Sequence, residues 1–268
     1  MSQNRWLKRI VLLVCFALLW AGFALPAGWA ENSAPSHNYI LIIDNSRSTT
    51  GRHSLGSATD PKGLRFDATK LVYDNVLSSA GAGGAGQIGV IVFCGSENCA
   101  VYGPMAIDSD PAAIDAAIGS HLNEKANEDR RDNYTDILTA LDAARSMLRG
   151  FEGETSVILL TDGVNDLVNR ADPFNQPENI AANDRSVEIV ADMRRLGADF
   201  YVIALTAQDA VQNTDAFMAF INRMAEAGGG AVQPDGGYGN VLMATQSDLN
   251  SKLLQMLIRA ESAVEANV

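Results

Sequence analysis

The chain has 268 residues, of which 47% are hydrophobic and 19% are charged, and this composition is typical of a globular protein and excludes a disordered one. Its length suits one large α/β domain or two small ones. The formal net charge of −12 opposes binding to nucleic acids and to anionic lipid surfaces, so we expect neither as a partner.

The N-terminal segment, residues 1–30, has the features of a secretory signal peptide. A basic start is followed by an uncharged apolar run, and the small residues Gly28 and Ala30 mark a cleavage site. We therefore expect cleavage after Ala30, a secreted or periplasmic location, and no membrane attachment after cleavage. An uncleaved anchor is the alternative, because the uncharged stretch 10–30 is long enough to span a membrane.

Strands and helices alternate along the rest of the chain. Continuous apolar runs predict strands at residues 39–44, 88–93, 100–107, 157–162, 200–205 and, weakly, 231–233. Helical spacing and helix-end signals predict helices at residues 64–80, 110–118, 135–148, 180–196, 215–227 and 248–263.

This alternation predicts an α/β fold with a doubly wound, mostly parallel six-stranded sheet and helices on both faces. The third strand returns as a hairpin and is the expected antiparallel edge strand. Residues 31–37 then form a short linker, residues 38–264 one domain and residues 265–268 a C-terminal tail.

Two cysteines follow the signal peptide, Cys94 and Cys99, with four residues between them. In an oxidising compartment such a pair predicts a disulfide bond. The alternative, a zinc site, lacks partners because the three histidines are scattered along the sequence.

Two of the most apolar strands end in a carboxylate, Asp44 and Asp162. In doubly wound sheets ligands bind at the carboxyl ends of the strands, so both side chains are expected at one edge. Asp44 also opens a D-x-S-x-S pattern with Ser46 and Ser48, which in an extended loop would point the same way. These oxygens suit Mg²⁺, Mn²⁺ or Ca²⁺, although loop serines also commonly cap turns.

A third segment, Thr135-Asp136, precedes a predicted helix. In order, the D-x-S-x-S pattern, this Thr-Asp pair and the Leu-Leu-Thr-Asp-Gly strand end at 159–163 resemble the metal-ion-dependent adhesion site of von Willebrand factor type A (vWA) domains. The resemblance covers roughly 38–263 and implies a Rossmann-like vWA fold. The chain departs from the family's pattern before Thr135, where Asn133-Tyr134 replaces glycines, and Thr139 is a weaker candidate for the same role.

The resemblance implies a role for each site residue. Ser46 and Ser48 would bind the ion directly, Thr135 would join them in the ligand-competent state, and Asp44 and Asp162 would act largely through bridging waters. Mg²⁺ fits best, with Mn²⁺ and Ca²⁺ as alternatives. A glutamate or aspartate of a protein partner would then fill the open coordination position.

Binding is therefore the expected function, and we do not expect an enzyme. A metal-assisted hydrolase, one alternative, needs a general base, for which only Asp136 and Asp166 lie nearby in the sequence. A scaffold with an unused metal site is the other alternative. We further expect the polar loop 164–178 to shape partner specificity, and the last helix to move when a partner binds, as the resemblance implies.

Overall fold

The computed structural model describes residues 37–50, 59–60, 62–80, 86–95, 99–106, 134–168, 173–206 and 214–265. The chain divides into two units, Met1–Ala34 and Pro35–Val268, and the described residues all belong to the second. The predicted signal peptide, nearly all of the linker, the helix 110–118 and most of the C-terminal tail lie outside the described residues. No helix within the described ranges is long and apolar enough to cross a membrane.

Six strands form one mixed sheet in the spatial order β3-β2-β1-β4-β5-β6. Only β3 runs antiparallel, paired with β2 at one edge, as the sequence predicts. Their bounds are β1 His37–Asp44, β2 Gln87–Phe93, β3 Cys99–Ala106, β4 Glu154–Thr161, β5 Ala198–Leu205 and β6 Val241–Ala244.

Helices cover both faces of this sheet. They are the short α1 Arg47–Thr50, then α2 Leu64–Ala80, α3 Ile137–Leu148, α4 Pro177–Arg195, α5 Thr214–Ala227 and α6 Leu249–Glu265. Apolar residues of α2 and α6 form one core with the sheet, and those of α3, α4 and α5 form the other. Because β1, β2, β4 and β5 are buried on both faces, their sequences are continuously apolar instead of alternating.

The chain adds its first strands on one side of β1 and its later strands on the other side, so the switch point lies between β1 and β4. The chain builds outward from β1 through β2 to β3, then returns to the other side of β1 with β4. Such a switch point opens a crevice at the carboxyl ends of the two strands, where doubly wound folds bind ligands. Asp44 ends β1 and Asp162 directly follows β4, so the fold brings both carboxylates to this crevice.

The sixth strand was predicted in the wrong place. Residues 231–233 form only an isolated bridge between Val232 and Tyr238, and Val232 is 65% exposed. The strand is Val241–Ala244, whose four residues are too few to display a recognisable alternation of buried and exposed positions. The helix ends were predicted more closely, and the expected stop at Gly197, with a positive φ of 91°, follows Leu196, the C-cap of α4.

The predicted disulfide is absent, since Cys94 and Cys99 both carry thiols. Phe93 pairs with Cys99 across the β2–β3 hairpin, and Cys99 packs against the same core as Phe93. Cys94 is the next residue after Phe93, and successive residues of an extended chain point to opposite faces of a sheet. In this register Cys99 pairs with Phe93 and not with Cys94, so the two cysteines are not partners across the hairpin.

His37, at the start of β1, is expected to make the stability of the fold depend on pH. Burial lowers the pKa of His37 to about 4, and its Nε2 lies 3.0 Å from the Ser156 hydroxyl. The unfolded chain binds a proton near pH 6.5 and the folded chain only near pH 4, so stability should fall as the pH drops through this window. We expect a loss of about 2–3 kcal/mol, measured by urea unfolding at pH 7 and pH 4.5. A His37→Gln variant should lack this part of the pH dependence, and equal slopes for both proteins would contradict the assignment.

Candidate metal centre

The D-x-S-x-S segment bends as soon as it leaves β1. The Ser46 backbone N–H donates to Asp44 Oδ1 at 2.8 Å, and Thr49 donates to the Ser46 carbonyl through its amide and its hydroxyl. The segment is therefore a turn leading into α1, and the expected extended loop was wrong. The two serines nevertheless converge, because Ser46 Oγ and Ser48 Oγ lie 3.1 Å apart.

A chain of hydrogen bonds connects this turn to the end of β4. Ser48 Oγ donates to Asp162 Oδ1 at 2.7 Å. The Ser46 hydroxyl lies within hydrogen-bond distance of Ser48 Oγ and therefore joins this chain. Beside this chain, Thr161 Oγ1 donates to Asp44 Oδ2 at 2.6 Å. Asp44, Ser46, Ser48 and Asp162 therefore form one connected polar cluster at the predicted edge of the sheet.

Thr135 reaches the same edge through its backbone. Its amide and carbonyl pair with those of Asp166 at 3.3 and 2.8 Å, just beyond Asp162. The next amide, of Asp136, donates to the Cys94 carbonyl at 2.7 Å and ties the segment to the end of β2. Thr135 is thus held between two strand ends, and its side chain is largely buried.

The hydrogen bonds at the N-terminus of α3 distinguish between Thr135 and Thr139, the two threonines considered as metal ligands. Asp136 is the N-cap, since its carboxylate accepts hydrogen bonds from the Thr139 amide at 2.9 Å and from the Thr139 hydroxyl at 2.8 Å. Thr139 is therefore part of the cap. Of these two candidates Thr135 is the one outside the cap, and its place as a ligand stays a prediction.

Sequence reasoning missed a second group of residues beside the cluster. Thr59 Oγ1 donates to Asp162 Oδ2 at 2.5 Å, and the 59–60 backbone pairs with Ser48 and Thr49. Arg65, only 2% exposed, forms an ion pair with buried Asp60 at 2.9 Å and donates to Asn45 Oδ1 at 2.5 Å. No sequence pattern marks these contacts, because the partners lie up to 103 positions apart.

The electrostatics of the site are dominated by burial. Burial raises the pKa of Asp44, against the effect of hydrogen bonds from Ser46 and Thr161. Burial and the neighbouring Asp44 charge raise the pKa of Asp162, against hydrogen bonds from Thr59 and Ser48. Both carboxylates are thus held where a nearby positive charge would stabilise their ionised forms.

The loop that follows Asp162 is more ordered than its polar sequence predicts. Val164 and Asn165 are buried, the Leu167 amide donates to Asn179 Oδ1 at 2.9 Å, and a 3₁₀ turn at Pro173–Asn175 leads into α4. Its role in partner specificity remains a prediction. In its described part, buried asparagine side chains accept hydrogen bonds from the loop's backbone amides.

The donor set differs from that of a zinc or iron site. Within the described ranges, no three or more histidine, cysteine, aspartate and glutamate side chains are grouped to hold a metal ion. The cluster instead combines two carboxylates with serine and threonine hydroxyls. These are hard oxygen donors, which suit Mg²⁺, Mn²⁺ and Ca²⁺.

Comparison with known proteins agrees with this fold. Residues 39–165 match the family model described as von Willebrand factor type A domain. The PilB minor pilin from Streptococcus sanguinis superposes with a TM-score of 0.58 at 12% identity, over 87% of this chain and 62% of the pilin. The pilus adhesin SpaC from Lactobacillus rhamnosus GG superposes with a TM-score of 0.56 at 15% identity, over 85% of this chain and 30% of the adhesin. No curated protein matches the sequence.

Proposed function

We propose that this vWA-like domain is an exported binding module that captures a protein partner through a divalent cation. The charge balance of the buried site carries the proposal. Arg65 forms an ion pair with Asp60, and within the described part of the chain no lysine or arginine forms an ion pair with Asp44 or Asp162, two buried carboxylates whose pKa values burial raises. Since isolated buried charges are costly, one divalent cation would balance both.

The hydrogen-bond directions support a role for the serines as direct ligands. Ser48 gives its proton to Asp162, and a serine hydroxyl oxygen that donates its proton keeps lone pairs that can bind a cation. Thr135 is the third hydroxyl that we assign to the ion. Mg²⁺ is our preferred ion, and Mn²⁺ and Ca²⁺ are the alternatives.

The carboxylates are better suited to water-mediated contacts. Both oxygens of Asp162 accept from hydroxyls, those of Ser48 and Thr59, and those of Asp44 accept from the Ser46 amide and the Thr161 hydroxyl. They supply negative charge without saturating the ion. A bound cation would provide an electrophilic position for a glutamate or aspartate carboxylate of the partner.

Binding is favoured over catalysis by the groups around the site. Hydrolysis by ion-activated water needs a general base within reach. The Asp136 carboxylate is engaged in the α3 cap, and Asp166 accepts from Asn179 at 3.4 Å. His37, the one histidine among the described residues, lies at the opposite end of β1. We therefore propose that the protein is not an enzyme.

The structural neighbours agree with an adhesive role outside the cytoplasm. One is a minor pilin and the other a pilus adhesin. This chain spans 62% and 30% of their lengths, so what they share with it is the fold. Export through the segment 1–30 and binding to a protein ligand are our proposals for this chain.

The test is capture of a partner that depends on both the ion and the site. We expect pull-downs from the native source to retain a protein in Mg²⁺ and lose it in EDTA. A Ser48→Ala variant should lose the same protein and bind Mg²⁺ at least about tenfold more weakly in calorimetric titration. Ser251→Ala, on an exposed position of α6, is the control and should behave as wild type. Equal capture in Mg²⁺ and EDTA would overturn the proposal.

A further inference from the structure

Asn165, three residues after Asp162, is fully buried, and both polar atoms of its side chain form hydrogen bonds. Its Nδ2 donates to Asn183 Oδ1 and to Ser186 Oγ, both at 3.0 Å. Its Oδ1 accepts from the Leu138 amide at 3.0 Å. These contacts join the loop after β4 to α4 on one side and to the N-terminus of α3 on the other.

The direction of each hydrogen bond in this group is fixed by its partners. Ser186 Oγ donates to the Ala182 carbonyl at 2.8 Å, so it can only accept from Asn165. The side-chain oxygen of Asn183, Oδ1, accepts one hydrogen bond from Asn165 Nδ2 and one from the Asn165 backbone amide, both at 3.0 Å. Asn165 therefore has one stable orientation, in which its oxygen faces Leu138.

The two segments that Asn165 joins carry different parts of the candidate metal centre. Asp162 lies three residues before Asn165, and Thr135 lies three residues before Leu138. The paired backbones of Thr135 and Asp166 form a second connection between the same segments. Thr135 and Asp162 are thus linked by a short, buried brace that is anchored on α4.

We infer that Asn165 is a positioning residue, which sets the Thr135 hydroxyl at the distance from Asp162 that the cation needs. The inference rests on the proposed function. Asn165 does not touch the cluster, so its effect on the ion would pass through α3 and the Thr135–Asp166 pair. Partners that hold metal ligands in place typically change metal affinity by about 10–100-fold when they are removed.

The experiment compares two buried asparagines at opposite ends of the sheet. Asn165→Ala is expected to weaken Mg²⁺ binding about tenfold in calorimetric titration. Asn240→Ala is the matched control, because Asn240 is also buried and donates to the carbonyls of Phe200 and Ala225, near the start of β5. It should lower the urea midpoint while leaving Mg²⁺ affinity within about twofold of wild type. Ser186→Ala, which removes one acceptor of Asn165 Nδ2, should weaken binding about threefold and replaces Asn165→Ala if that variant does not fold.

The outcomes separate the inference from the proposed function. Wild-type protein that binds neither Mg²⁺ nor Mn²⁺ would overturn the proposed function itself. Wild-type binding with unchanged affinity in the Asn165→Ala or Ser186→Ala protein would overturn the inference alone. Equal weakening in the Asn165→Ala and Asn240→Ala proteins would also overturn it, since affinity would then follow general stability.

Discussion

An Asp44→Asn substitution is expected to weaken Mg²⁺ binding by at least about 100-fold and to stabilise the metal-free protein. Asparagine keeps an oxygen for the Ser46 amide, and its NH₂ group can donate to Thr161 Oγ1, so the turn after β1 should persist. The substitution removes one of the two buried carboxylates that the proposed function assigns to the cation. It also relieves the repulsion that raises the pKa of Asp162.

Calorimetric titration with Mg²⁺ and urea unfolding in EDTA measure the two effects separately. We expect the unfolding free energy in EDTA to rise by about 1–2 kcal/mol. Asp184→Asn is the control, because Asp184 is an exposed carboxylate of α4 and should change neither quantity. Undiminished Mg²⁺ affinity in the Asp44→Asn protein would remove this residue from the site.

An Arg65→Leu substitution is expected to destabilise the metal-free protein by about 3–5 kcal/mol, because it leaves the buried Asp60 carboxylate without its ion-pair partner. It also removes the Arg65 charge, which partly opposes the rise that burial causes in the pKa of both Asp44 and Asp162. A cation at the site would replace part of that charge. Saturating Mg²⁺ should therefore recover some of the lost stability.

Urea unfolding with and without Mg²⁺ tests this expectation. Arg185→Leu is the matched control, since Arg185 forms an ion pair with Glu188 on the exposed surface of α4. Exposed pairs contribute about 0–1 kcal/mol, so the control should stay within that range. A similar small loss for Arg65→Leu would mean that Asp60 is stable without the guanidinium.

The sequence predicts the sheet well because burial on both faces leaves a continuous apolar run, as in Tyr39–Ile43 and Val157–Leu160. It predicts the meeting of Asp44 and Asp162 because parallel strands place their carboxyl ends at one edge. Both inferences rest on local patterns with a fixed geometric meaning. The position of β6 could not be obtained in this way, because its pairing with β5 determines it.

The residues that surround the site could not be predicted from the sequence either. Thr59, Arg65 and Asn165 make their contacts across long stretches of sequence, and their side-chain types are ordinary for a polar loop or a helix start. Cys94 and Cys99 also form no disulfide, although their spacing allows one, and the register of the hairpin pairs Cys99 with Phe93 instead. Tertiary structure decides these features, so no local signal reports them.

The placement of the site at the end of β1 has a mechanical consequence for a protein that binds a partner. If the proposed cation binds there, a pull on it would pass into the turn after Asp44 and from there along the axis of β1, which is hydrogen-bonded on one side to β2 and on the other to β4. Both neighbours run parallel to β1, so tension between the site and the start of the strand at His37 loads these backbone hydrogen bonds in shear. Bonds loaded in shear must break together and not one after another, so the domain should resist extension most strongly along this direction.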